Sequence, residues 1–336
     1  MKVISNPNQI DRKEWSDFIA NHPNGNIFQT PEMFDVYKDT CNFEPIFVSI
    51  IEDNKIEAIL LAVIQKENYG TLSFLTARAI INGGPIFNID KPNLLDSILN
   101  EYNKLIKNKV IYSQIRNFWI CKEEEATFKK YGFIFEDHLN IINDLTISNE
   151  DQWSNLSRKR RRGIVKAKEH EFVIETPNVN LALSKFFELL TNLYSRVKLP
   201  FPSLQYFENV VNIFDQTSQV IIFNLKNKDE VLISFLGLLH KKTIFGVWVA
   251  HTDDDFVKTT KAMDLFFWEI MNWGSLNGYE KFDWMGAGKP DKDYGVRDFK
   301  LQFGGELLNL GRFEKVHSRL LFKLGKVGLK IWQKLK

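Results

Sequence analysis

Between Gly278 and Gly305 the chain reads GYEKFDWMGAGKPDKDYGVRDFKLQFGG, gathering glycines, aromatics and charged side chains into one segment. Lys281 to Trp284 has the character of a strand entering a core. Gly286 and Gly288 then allow backbone conformations closed to residues with a Cβ, and Pro290 blocks an early helix, so the strand must end in a shaped loop. Such loops are where rigid scaffolds present chemistry. Tyr294 to Phe303 reads as a short helix that sets Arg297, Phe299 and Lys300 beside the loop, with Gly304 and Gly305 ending it. A plain turn before a surface helix has the same spacing, so the segment alone does not decide between the two. GAGKP is not a P-loop: Asp283 stands at the first glycine of that motif and Pro290 at its Ser/Thr.

A second chemical feature is cationic. Arg158, Lys159, Arg160, Arg161 and Arg162, then Lys166 and Lys168, lie along one predicted helix, Asp151 to Glu169. Guanidinium forks grip phosphates in pairs of hydrogen bonds, so tRNA or a pyrophosphate fits here, as does an ordinary solvated face. The third is the end of the chain. From Arg312 onward eight Lys/Arg face one Glu, a local +7 in a protein whose net charge is +2. Val316, Leu320, Leu324, Val327, Ile331 and Leu335 recur there at helical spacing beside Arg319, Lys323, Lys326, Lys330 and Lys334. This basic amphipathic helix, 313–336, is expected to pack on the first domain; an anionic membrane surface is the other place it fits.

The elements that must position these residues come in a doubled order. Helices start at Asp11 and at Thr30-Pro31, strands follow at Pro45–Ile51, Ile56–Ile64 and Leu72–Thr76, then a helix at Leu94–Lys107 and a strand at Val110–Ile115. A short helix near Glu123–Lys130 and a strand at Leu139–Leu145 are expected to close this half. In the second half, helices Leu181–Arg196 and Leu204–Phe214 precede a meander of Gln219–Leu225, Glu230–His240 and Thr243–Ala250. Helix Thr260–Trp273 and strand Lys281–Trp284 complete it. The reading is α/β (α+β): two tandem domains, 1–149 and 150–312, each a mixed, largely antiparallel sheet flanked by helices.

With 336 residues and 44% hydrophobic content the chain can bury two cores. Two cysteines, Cys41 and Cys121, make no disulfide framework, which points to a reducing, cytoplasmic setting. The sequence shows neither a secretory leader nor a membrane span. Its six scattered histidines give no zinc motif, so no metal is expected.

Four stretches, GNIFQTPE, NGGPIF, LSRKRRRGIVKAKEHEFVIE and FDWMGAGKPDKDYGVRDFKLQFGG, resemble the FemABX-type aminoacyltransferases and the wider FemAB-like acyltransferases, which carry two domains of the GCN5-related acetyltransferase (GNAT) fold. The resemblance implies transfer of an acyl or aminoacyl group to an amine, with aminoacyl-tRNA as donor and a cell-wall peptide or surface-polysaccharide precursor, lipid-linked or not, as acceptor. It matches Phe299-Lys300 to the family's Phe-Lys pair and so makes Lys300 the catalytic candidate. Phe299 would shape the channel, with Tyr294, Arg297 and Asp283 around the substrate. It also implies acceptor contacts at Arg196 and near Tyr37-Lys38; of the expected phosphate or tRNA contacts, Arg158, Arg160, Arg161 and Lys166, it is Arg161 and Lys166 that best match the family's pattern in this helix. Physically, a fixed ammonium such as Lys300 stabilises the oxyanion of acyl transfer more than the ground state.

No cofactor beyond the donor is required. An acyl-CoA donor is the alternative, disfavoured because the loop HTDDDFVKTT lacks glycine and places Asp253 to Asp255 where a pyrophosphate would lie. A non-catalytic nucleic-acid or membrane-surface binding protein is the other alternative.

Overall fold

The β-branched runs around Glu52–Asn54 fold as a hairpin, and the rest of the first sheet grows from it. The computed structural model describes residues 1–67, 73–325 and 327. They divide into two units, Met1–Asp137 with the chain from Leu310 onward, and His138–Asn309. In the first unit the strands are β1 (Lys2–Ile4), β2 (Phe43–Glu52), β3 (Lys55–Gln65), β4 (Arg78–Asn82), β5 (Ile86–Phe87), β6 (Tyr112–Arg116) and β7 (Ile134–Glu136). Its helices are α1 (Arg12–Asn21), α2 (Pro31–Lys38), α3 (Asn93–Leu105) and α4 (Glu125–Lys130). Asp11 and Thr30 cap α1 and α2 through the amides of Glu14 and Met33, as their types predict.

The second unit contains β8 (Leu139–Asp144), α5 (Asn149–Asn155), α6 (Arg158–Ala167), β9 (Phe172–Glu175), α7 (Val179–Val197) and α8 (Leu204–Asp215). The meander β10 (Val220–Asn227), β11 (Glu230–His240) and β12 (Thr243–His251) follows. After it come α9 (Asp255–Thr260), α10 (Ala262–Leu276), β13 (Lys281–Asp283), α11 (Gly295–Leu301) and β14 (Glu306–Asn309). A last strand, β15 (Arg312–Val316), belongs to the first unit.

The sheet orders are β1-β2-β3-β4-β6-β15-β7, with β5 on β3, and β14-β8-β13-β12-β11-β10-β9. Each unit thus joins an antiparallel meander to a parallel pair, β4 with β6 and β12 with β13, across a helix that covers the sheet. The expected doubling is present, and in both copies the α3 or α10 face supplies the core. In the second, Phe266, Phe267, Ile270 and Met271 pack on Phe235, Ile244, Phe282 and Trp284. Each such side chain contributes about 1.5–3 kcal/mol on burial.

Three sequence expectations change. The strand expected to close the first half, Leu139–Leu145, is β8, and it lies between β13 and β14 in the second sheet. In exchange β15 sits between β6 and β7 in the first. The boundaries near 149 and 312 therefore become 137/138 and 309/310. Chain order does not decide this; the partners for Asn140 and Asn143 on β8 exist only beside β13. Second, the single helix expected over Asp151–Glu169 is broken at Ser157, whose hydroxyl caps α6, and Thr260–Trp273 is broken at Lys261, which is left-handed at φ 62°. Third, Ser73–Leu75 is a 3₁₀ turn and the strand begins at Arg78, while Leu72 lies outside the described residues.

The tail also differs from expectation. Residues 319–325 are helical, and Phe322 packs its ring edge on Tyr112 at 5.2 Å. Leu320, Leu324 and Val327, however, are 69%, 57% and 54% exposed, so this part of the apolar stripe faces solvent. Ile331 and Leu335 fall outside the described residues. Among the described residues no helix is long and apolar enough to cross a membrane.

Candidate active site

β12 and β13 pair in parallel only over Thr243–Phe245 and Lys281–Asp283, then part. On its other side β12 carries a bulge: Leu236 opposes Trp248 and Gly237 opposes Gly246, which leaves Val247 as the extra residue. Where the strands part, a cavity of about 1320 Å³ opens, lined from β12 by Gly246 to Val249 and from the other strand by Phe282, Trp284 and Met285. Lys300 and Phe299 of α11 also line it.

The loop after β13 is held in an unusual shape. The ladder with β8 resumes through the Trp284 amide on the Ile141 carbonyl and the Ala287 amide on the Leu139 carbonyl, so Met285 and Gly286 are extruded. Both have positive φ, 54° and 89°. Two buried asparagines of β8 fix the extrusion. Asn140 donates to the Asp283 carboxylate at 3.0 Å and accepts from the Gly286 amide at 2.8 Å. Asp283 also accepts from the Met285 amide at 2.8 Å. Asn143 accepts from the Trp284 indole at 2.7 Å and donates to the Phe303 carbonyl at 2.8 Å, tying strand to helix.

The fixed carbonyls orient Lys300. Its Nζ donates to the oxygens of Trp284 and Gly286, each at 2.7 Å, which leaves a third N–H for a ligand. Burial lowers its pKa from the usual 10.5 to about 8, opposed by the nearby Asp283 charge. Burial in turn pushes the Asp283 carboxyl up, and its hydrogen bonds pull it down. Substituting Asn140 by alanine would leave the Gly286 amide and one side of Asp283 unpaired. The expected cost is about 1–3 kcal/mol, read from the denaturant midpoint, with a fall in turnover as Lys300 loses its frame.

Beside α11 runs α6. Arg160, 4% exposed, makes a buried ion pair with Asp264 of α10 and donates to Gln302 Oε1 at 3.0 Å. Its guanidinium lies 4.2 Å from the Phe299 ring centre and 4.8 Å from that of Phe303. Arg158, Lys159, Arg162 and Lys166 of the same helix line the cavity. So do Lys258 and Lys261, the latter at the N-terminus of α10, whose cap residue makes no side-chain bond.

Residues 151–300 match the family model described as an acetyltransferase (GNAT) domain. The chain carries a GNAT domain and is an acyltransferase. Its fold is similar to that of FemX, at TM-score 0.74 and 15% identity over 96% of this chain and 99% of the other. It is also similar to the C-terminal domain of a putative lysylphosphatidylglycerol synthetase from Agrobacterium fabrum (0.60, 13%, 95% and 96%). A tandem GNAT protein from the clavulanic acid biosynthesis pathway gives 0.60 at 7% identity, covering 94% and 98%. At these identities the likeness is one of fold. No curated protein matches the sequence.

The acyltransferase cavity brings together only part of the expected set. Lys300, Phe299, Tyr294, Arg158 and Lys166 line it. Asp283 does not: at 4% exposure it lies beneath the loop and shapes it. Arg297 does not either, because its guanidinium staples the loop through the carbonyls of Lys289 and Lys292, each at 2.7 Å. Arg161 donates to the carbonyls of Ser154 and Leu156 at the end of α5, a cation on a helix C-terminus. Arg160 lines the cavity wall, but Asp264 neutralises it, so neither of these two arginines is a free phosphate ligand. Arg196 ends α7 3.6 Å from Asp253. In the first unit Tyr37 is buried, its hydroxyl bonded to Asn82 and its pKa pushed up to about 12 by burial; Lys38 is exposed at the end of α2.

Asn140, Asn143, Asp264, Lys258 and Lys261 were not expected. Signals existed for the first three, since asparagines inside a strand and an aspartate inside AMDLFFWEIM need partners. The aspartates of HTDDDFVKTT also act differently from the expectation. Asp254 caps α9 at the Phe256 amide, Asp253 faces Arg196 and Lys258, and none of the three lines the cavity.

Proposed function

We propose that the protein transfers an aminoacyl group from aminoacyl-tRNA to an amine of a cell-wall peptide or surface-polysaccharide precursor, on the cytoplasmic side of the membrane. The observation that carries this reading is one cavity lined both by the half-buried, carbonyl-oriented Lys300 and by a row of cations from α6. The amine nitrogen attacks the ester carbon, a C–N bond forms, and the C–O bond to the donor ribose breaks. The amine proton ends on the leaving oxygen. Lys300 holds the negative charge that builds on the carbonyl oxygen between these events. Arg158, Lys159, Arg162 and Lys166 hold donor phosphates. The exposed Leu320, Leu324 and Val327 beside Arg319 and Lys323 suit peripheral contact with an anionic membrane, where a lipid-linked acceptor would be met.

An acyl-CoA donor is the second reading, favoured by one observation. The segment before α10 presents Lys261 to the cavity, together with Lys258, which pairs with Asp253 and Asp255, so the repulsion expected from these aspartates is reduced there.

Filter binding to charged tRNA and to acetyl-CoA, each across a salt titration, separates the readings. On the first, charged tRNA binds more tightly than uncharged. Neutralising Arg158, Lys159, Arg162 and Lys166 together then makes the plot of log affinity against log salt shallower, by about 0.7 for each phosphate that these side chains had neutralised. Binding of acetyl-CoA alone would replace the donor. Binding of neither would remove the donor assignment.

A further inference from the structure

In the sheet of the first unit, alternation along β6 and β15 turns Ser113, Ile115 and Phe313 to the core and Gln114, Arg116, Arg312 and Glu314 to the other face. Arg116 and Arg312 are directly opposed cross-strand partners, a placement that repels. Both are partly buried, and among the described residues neither takes part in an ion pair, whereas Arg78 on the adjacent strand meets Glu67 at 2.6 Å. Their side-chain acceptor is shared: Gln114 Oε1 receives Arg116 Nε at 3.0 Å and Arg312 at 3.4 Å. The Gln114 amide reaches Glu314 at 3.4 Å. Burial lowers both guanidinium pKa values, that of Arg312 to about 9; the Arg116 charge adds to the shift of Arg312, and Tyr112 and Glu314 oppose it. Two guanidinium groups on opposed residues, bonded to one Gln114 oxygen, partly desolvated and without an ion-pair partner among the described residues, suit a carboxylate or phosphate, which offers two or more accepting oxygens.

We propose that Arg116 and Arg312 form an oxyanion site that takes a carboxylate or phosphate group of a ligand of this protein. The site stands on the first unit alone and does not rest on the reading of the Lys300 cavity. Its occupant supplies the ion-pair partner that the two arginines lack.

The test is thermal unfolding of the full chain in a buffer free of oxyanions, then with millimolar inorganic phosphate or, separately, acetate. Without oxyanion, Arg312→Gln is expected to unfold no lower than the wild type, because one of two repelling charges is gone. With it, the wild type should gain about 2–4 °C in Tm, by preferential binding to the folded state. Arg312→Gln and Arg116→Gln should gain nothing, Arg312→Lys less than half, and an Arg158→Gln/Arg162→Gln control the full amount. The probe that gives the larger shift names the group. Equal shifts in wild type and Arg312→Gln, or no shift with either probe, would overturn the proposal.

Discussion

Replacing Lys300 by methionine is expected to lower turnover by about 100-fold or more while changing stability by about 1 kcal/mol or less. The two effects separate because of what the ammonium does in the resting protein. Among the described residues it bonds the carbonyls of Trp284 and Gly286, and those bonds are offset by the cost of burying the charge. In the transition state the remaining N–H meets a charge that the ground state lacks, so its loss falls on the rate.

The pH dependence gives the sign. With its pKa lowered from 10.5 to about 8, Lys300 loses its proton in the folded protein well before it would in the unfolded chain. Rates that need the ammonium should therefore decline as pH rises through about 8. Between that value and 10.5 the unfolded chain binds the extra proton, so the stability contribution of this residue rises with pH. A rate that climbs through the same region would make Lys300 a base rather than a cation. In Lys300→Met this limb of the profile should vanish.

Asp264→Ala should be the most damaging single change in the second unit, at about 3–5 kcal/mol, because it strands the Arg160 guanidinium in the core. Arg160 is 4% and Asp264 5% exposed, and burial pushes each toward its neutral form while the charge of the partner opposes this. The guanidinium cannot relax to water, and its Nε already lacks a partner. Gly163 leaves no slack, since a Cβ there would fall on the Asp264 carboxylate. Pairing Arg160→Met with Asp264→Leu removes both charges and is expected to recover most of the loss. Denaturant midpoints of the single and double variants decide it. Full recovery of stability with turnover still depressed would show that the pair also positions Phe299, on whose ring Arg160 lies.

The doubled order of elements was legible because each half repeats the same alternation of β-branched runs and helical faces, and local pattern is what the sequence carries most directly. The lysine and its neighbour were legible through a resemblance, and their shaped loop through Gly286 and Gly288. What was not legible was pairing at a distance. β8 reads as the last strand of the first half by chain order, yet Asn140 and Asn143 find their distant partners at Asp283, Gly286, Trp284 and Phe303. The arginine run misled for a related reason. Side chains of one type on one helix have different fates: Arg161 turns to the carbonyls of α5, Arg160 to Asp264, and Arg158 and Arg162 to the cavity. A charge count cannot sort them, because the sorting depends on which helix packs alongside.

Single-turnover transfer from a mixed charged-tRNA pool or acetyl-CoA to an amine acceptor, followed by mass spectrometry for wild type and Lys300→Met, tests the role of the cavity most directly. The expected result is product formation that slows by about 100-fold in the variant with donor affinity little changed. An unchanged rate in Lys300→Met would contradict the assignment of Lys300 and with it the proposed chemistry of the cavity.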